Sequence, residues 1–271
     1  MLSLKNTHLD VTILDPIADQ DRFGTRYCTG GYIFQITDTQ HGPLLSGPTY
    51  PDSFDPFNGQ GIPDAFNRSP LRELDDTSGS VLIIGIGLCN LGENTVTEFC
   101  HWDIKQSETE ITFSTEQIHQ KFNLEFTRTV TLNERTIRSS SHLKNTGRQF
   151  IPISWFPHPF FPHPETDELC KLNIPVSFPE NPGFGWSESG FIRRKSWPWE
   201  KGYFQALSHN AQDPVVVFQK HPALGLIGAT CSYVPGLFPI WGNPITFSWE
   251  PYYERTLAPG QETSWWIDYE F

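Results

Sequence analysis

The stretch Asn123–Leu132, N-L-E-F-T-R-T-V-T-L, alternates apolar and polar side chains; the turn N-E-R and then Thr136–Leu143, T-I-R-S-S-S-H-L, follow it. A period of two is the mark of a strand with one face buried, because successive side chains leave a pleated backbone on opposite sides. The second strand ends at the turn signal Asn145-Thr146-Gly147. Working outward, Glu110–Ser114 and Thr95–Ile104 alternate in the same way, and Ile151–Trp155 reads as the next strand. Val81–Cys89, V-L-I-I-G-I-G-L-C, is an apolar run bounded by turn residues and predicts a strand buried on both faces. Val11–Leu14 predicts an edge strand and Tyr32–Thr37 another strand. Toward the C-terminus the pattern resumes at Tyr203–Leu207, Val215–Gln219, Leu224–Ser232, Ile245–Glu250 and Ser264–Phe271. Many short strands spaced by roughly 8–12 residues, with almost no helical period, predict an all-β antiparallel sandwich or barrel. No fixed repeat or linker divides the chain, so residues 1–271 are expected to form one domain of two stacked sheets.

The charge balance narrows the partners. A formal net charge of -12 argues against nucleic-acid phosphates and anionic membrane surfaces. Aromatic residues make up 14% of the chain, enough for a thick core, for stacking on a ligand, or for both. The five cysteines (Cys28, Cys89, Cys100, Cys170 and Cys231) form no C-x-x-C pair and read as free thiols of a reducing compartment. The N-terminus lacks an apolar leader, and no run approaches about 18 apolar residues. A cytoplasmic, soluble protein is the expectation.

Ser154–Pro164, S-W-F-P-H-P-F-F-P-H-P, sets His158 and His163 among prolines and aromatics. Proline fixes φ and removes a donor, so this run is a stiff loop or strand end that holds an imidazole in place. It suits acid–base chemistry on a neutral substrate and equally suits a plug for the end of a sandwich. Gly42 to Ser78 is loop-like, but Phe54, Phe57 and Phe66 look buried, which predicts an ordered loop suited to ligand contacts. The irregular segment 177–202 carries Trp186, Trp197 and Trp199, which either line a cleft mouth or cover the sandwich edge. Glu250 ends a strand beside Trp249, Tyr252 and Tyr253, where desolvation would raise its pKa toward that of a general base.

The order of these pieces resembles the galactose mutarotase (aldose 1-epimerase) family. His158-Pro159-Phe160-Phe161 is similar to the family's histidine, any residue, Tyr-Phe; Pro235-Gly236 followed by Trp241-Gly242-Asn243 is similar to its next motif; Glu250 falls on the strand where the family has its catalytic glutamate. The turn between the strands in Leu143–Pro152 also matches, and the likeness runs over residues 80–271. The resemblance implies an antiparallel β-supersandwich with a sugar in a groove on one sheet. It implies ring opening by a carboxylate base, Glu250, and an imidazolium acid, His158, facing each other across a gap one pyranose wide. It implies a monosaccharide or sugar-derivative substrate, no cofactor and no metal, in a monomer or homodimer. His163 lacks the following aromatic pair and is expected to be structural. The family's second histidine, in His-Gly-Gly after an Asn-Arg pair, is absent after Asn67-Arg68; His101 is the nearest candidate. Glu200 is the candidate for the family's sugar-binding aspartate, and Arg68 and Trp241 complete the expected binding set. Arg68, Arg72, Arg193 and Arg194 are either solvated or aimed at an acidic sugar.

Two other classes compete. A carbohydrate-binding protein on the same fold would keep the groove without turnover, and a lyase or glycosidase accessory domain would reuse the supersandwich. A cupin-like metal enzyme would need closely spaced His and Glu ligands, and no H-x-H is present.

Overall fold

The computed structural model describes residues 1–76, 78–196 and 199–271, with Lys201 described by its backbone only. The described residues are nearly all β. Ten strands form one antiparallel sheet in the order Phe184–Trp186, Ile192–Arg194, Glu168–Leu172, Val216–His221, Gly225–Cys231, Glu262–Glu270, Thr136–Asn145, Phe122–Asn133, Glu110–His119 and Asp103–Gln106. The alternating strands expected from the sequence are its centre. Phe122–Asn133 pairs with Thr136–Asn145 in unbroken register from Leu124 opposite Asn145 to Asn133 opposite Thr136.

Among the described residues there are four smaller sheets, and two of them meet this one through aromatic rings. Tyr253–Leu257, Ile151–Pro157 and Asp64–Ala65 form a three-stranded sheet; Phe161–Pro162, Thr246–Trp249, Phe238–Gly242, Tyr203–His209 and Val176–Ser177 form a five-stranded one. Aromatic rings join the layers. Trp265 of the large sheet meets Trp155 and Tyr253 of the three-stranded sheet at centroid distances of 5.5 and 4.6 Å, and Tyr269 meets Trp249 at 6.0 Å. Such rings contribute both large apolar area and a preferred geometry. One apolar cluster runs from Leu4 to Phe271. These packed antiparallel layers are the β-supersandwich architecture.

Three expectations need correction. Leu9–Ile13 is not an edge strand, because Leu2–Lys5 pairs on one side of it and Ile33–Asp38 on the other. The run Val81–Cys89 is buried, but it is a hairpin, Ser80–Ile83 and Gly87–Asn90, not one strand. Gly85 makes the turn: its φ is +75°, and a Cβ there would meet Cys28 Sγ at 2.4 Å. Thr95–Ile104 divides into Thr95–Phe99 and Asp103–Gln106, which belong to different sheets. Between them Trp102 turns into the core and donates from Nε1 to Thr29 Oγ1 at 2.7 Å.

Candidate functional site

The strand Ile151–Pro157 carries the proline-aromatic stretch to the edge of a cavity of about 650 Å³. It pairs with Tyr253–Leu257 in antiparallel register, from Ile151 opposite Leu257 to Trp155 opposite Tyr253. The same register carried onward sets Phe156 against Tyr252 and His158 against Glu250. Side-chain geometry agrees: the Phe156 and Tyr252 rings stack at 4.4 Å and 12°, and His158 Nε2 lies 3.2 Å from Glu250 Oε1. The pair that the sequence separates by most of a hundred residues is therefore one further rung of a cross-strand ladder.

The backbone on both sides is fixed. His158 N–H donates to Pro63 O at 2.8 Å, and Glu250 N–H donates to Pro239 O at 2.9 Å. Ser248 Oγ stands 3.0 Å from His158 Nδ1, so each ring nitrogen has one partner. The ring stacks on Phe160 at 4.3 Å and meets the edge of Trp241 at 5.8 Å. Both members of the pair are buried. Burial, reinforced by the Arg26 cation, pushes the His158 imidazolium well below the usual histidine range. Burial pushes the Glu250 carboxyl up to about 8, against the pull of Arg26. At neutral pH the pair thus holds one proton, resting on the carboxyl.

The expected one-pyranose gap between the two groups is absent; they touch, and the cavity lies alongside the pair. Its walls come from three places. The loop between Pro48 and Arg68 supplies Phe57, Asn58, Asn67 and Arg68 among others; the short helix Trp199–Lys201 supplies Glu200; Phe238–Gly242 supplies Trp241. Arg68, Glu200 and Trp241, all named from the sequence, line the same cavity as His158 and Glu250. His101 does not. It sits in the break between two strands, 82% exposed and 3.8 Å from Asp103, because its neighbour Trp102 takes the inward position. Phe57 is 45% exposed on the cavity rim, not buried.

Sequence reasoning missed Arg26, Asn58 and Tyr252 as lining residues. Arg26 lies over the Tyr27 and Phe57 rings and donates to Phe57 O at 3.3 Å. A lone arginine between turn residues gives no local signal. Asn67 was legible only as half of an Asn-Arg pair; its side-chain oxygen is buried without a hydrogen-bond partner. His163 Nε2 contacts Asn243 O at 2.6 Å, and the Asn243 amide donates to Pro48 O, so this histidine braces the cavity wall. Of the tryptophans in 177–202, Trp199 is in the core and Trp186 stacks on Phe178 at the large sheet's edge; Trp197 lies outside the described residues. Among the described residues no cluster of His, Cys, Asp and Glu could hold a metal, and no helix is long and apolar enough to cross a membrane.

No protein-family model matches the sequence, and no curated protein matches it. Solved structures do. A galactose mutarotase related enzyme from Lactobacillus acidophilus superimposes with a TM-score of 0.66 at 12% identity, over 99% of this chain and 96% of that one. A galactose mutarotase-like protein from Lactobacillus casei gives 0.60 at 13%, over 100% and 99%. The GalM/aldose epimerase homologue from C. elegans gives 0.54 at 12%, over 99% and 97%. The likeness covers the chain from end to end and is one of backbone arrangement, which the resemblance noted in the sequence had implied: the chain has the galactose mutarotase-like fold.

Proposed function

We propose that this protein is an aldose 1-epimerase that interconverts the anomers of a sugar with Glu250 and His158. The observation that carries the reading is the buried contact of 3.2 Å between an imidazole and a carboxyl at the edge of a cavity large enough for a sugar. The anomeric hydroxyl and the ring oxygen of a pyranose share one carbon, so groups that serve both must be neighbours. Glu250 takes the hydroxyl proton while His158 gives one to the ring oxygen; the ring opens, the aldehyde turns, and closure reverses both transfers. Each positioned group contributes about 10²–10⁴-fold. Imidazolium with carboxylate precedes opening, and imidazole with carboxylic acid follows it. The two differ only in where one proton sits. At neutral pH the pair favours the second arrangement, and the direct contact between the groups offers a path for resetting it.

Arg68, Glu200, Trp241 and the unpartnered Asn67 oxygen bind sugar hydroxyls and the ring face in this reading. A single domain is supported by the large apolar cluster that runs from Leu4 to Phe271, and a reducing, cytoplasmic setting by five free thiols, four of them buried. Polarimetry on freshly dissolved hexoses tests the activity: wild type speeds the optical relaxation and Glu250→Gln does not. Equal, uncatalysed relaxation with both removes the reading.

A carbohydrate-binding protein without turnover is the second reading. It is favoured by the closure of the His158–Glu250 pair on itself. Calorimetric sugar binding that survives Glu250→Gln, with no relaxation enhancement in wild type, would select it.

A further inference from the structure

The ladder that ends at the reacting pair continues in the other direction. On the face shared by His158 and Phe156 the next residues are Ser154 and Pro152; opposite them stand Glu254 and Thr256. These rungs line a second depression of about 740 Å³ together with Leu237, Ser69 and Pro70. Arg68 and Tyr252 belong to both depressions. One ribbon face therefore runs from the reacting pair, past the stacked Phe156 and Tyr252, to a rung of hydroxyl and carboxylate, Ser154 and Glu254, and then to Pro152 and Thr256. Each rung advances about 6.8 Å, twice the rise of one strand residue.

The composition of this track is that of a carbohydrate site. Leu237 is 38% exposed, an apolar surface beside the exposed hydrogen-bonding groups of Glu254 and Thr256. Gly236 makes room for the Glu254 carboxylate, which a Cβ there would meet. A monosaccharide on His158 and Glu250 would reach none of these groups.

We propose that the sugar acted on is the reducing-end unit of an oligosaccharide, whose further units lie along the second depression over Ser154, Glu254 and Thr256. The proposal rests on the epimerase reading for its reducing-end chemistry and stands on its own for binding. No step is added to the reaction; the extension holds the chain while the terminal ring opens and closes.

The test compares glucose with maltotriose and cellotriose, and galactose with lactose. Anomer exchange is followed by NMR and binding by calorimetry, on wild type and on Thr256→Trp, which fills the trough from an exposed strand position. At least one oligosaccharide should show a kcat/KM about tenfold or more above its reducing-end monosaccharide. Thr256→Trp should erase that advantage while leaving the monosaccharide rate within twofold. Glu254→Ala, a smaller change, should lower it in the same direction. If no sugar is turned over, but an oligosaccharide binds tenfold tighter than its monosaccharide and Thr256→Trp abolishes the difference, the track is upheld and the epimerase reading falls. Equal handling of monosaccharides and all three oligosaccharides, or an advantage that Thr256→Trp leaves intact, overturns the proposal.

Discussion

Two buried pairs, each of a basic and an acidic side chain, lie on neighbouring stretches of backbone, and they behave differently. Arg128 and Asp64 are sealed in the core: Arg128 donates to the Asp64 carboxylate and to Ser139 Oγ at 2.7 Å, and also to Ser141 Oγ. Asp64 sits on the strand that pairs with Phe156 and Pro157, so this pair ties the large sheet to the backbone just before His158. His158 and Glu250 instead border a cavity. Burial raises both carboxyls. Asp64, with the Arg128 cation against it, reaches about 6 and is an anion at neutral pH; Glu250, facing a titratable ring, reaches about 8 and keeps its proton. A permanent cation fixes the charge state of its partner, and the pair becomes a strut. An imidazole leaves the proton free to move, and the pair can do chemistry.

The sharpest separation is expected from one substitution at each pair. Glu250→Gln should lower the enhancement of anomer exchange by about 10²–10⁴-fold in polarimetry while leaving stability unchanged or raised, because an amide costs less to bury than a carboxyl. Arg128→Met should cost about 3–5 kcal/mol in urea unfolding, since it strands Asp64 in the core. A stability loss at Glu250 as large as that at Arg128 would erase the distinction.

A pH series sharpens it further. The folded-state pKa of Glu250 is raised from 4.5 to about 8, so between those values the folded chain holds more protons than the unfolded one. Stability from this group is therefore present in full below about pH 4.5 and is lost as pH rises to about 8, by no more than about 1.4 kcal/mol per unit. Unfolding free energies of wild type, measured against Glu250→Gln from pH 5 to 8, should fall with that sign. A flat difference would show that the carboxyl is not desolvated. The smallest effect belongs to Ser248→Ala, which deprives His158 Nδ1 of its hydroxyl partner. It should cost about 1 kcal/mol, a rate loss of about fivefold, and should shift the pH–rate profile. An unchanged profile would leave Ser248 no part in setting the ring's protonation.

Most of the large sheet was legible in the sequence because alternation is a local property. Leu124, Phe126, Val130 and Leu132 declare the inward face of their strand, and the pairing follows from the turn beside it. The same stretch held a signal that went unread: Arg128 occupies an inward position in that alternation, and serines occupy inward positions on the facing strand. A charge in an apolar register asks for a buried partner, and Asp64 supplies it. His158 and Glu250 were legible as types of residue in suggestive settings, but their contact depends on the register of two strands far apart in the chain. His101 went the other way. The alternation that seemed to run through it breaks so that Trp102 can fill the core, and no local pattern announces such a break. Arg26 and Asn58 were invisible for a related reason: loop residues face a cavity only through contacts made elsewhere.

The long loop also has a thermodynamic consequence. Its backbone is laced to the histidine segment by Ser46 N–H to Phe160 O, Phe160 N–H to Gly61 O and His158 N–H to Pro63 O, and to itself by Gly61 N–H to Ser46 O. Asn243 bolts Pro48 to the opposite wall. A wall fastened in this way needs no ordering when a guest arrives. The entropy that a floppy lid would surrender at each encounter was already given up once, when the chain folded.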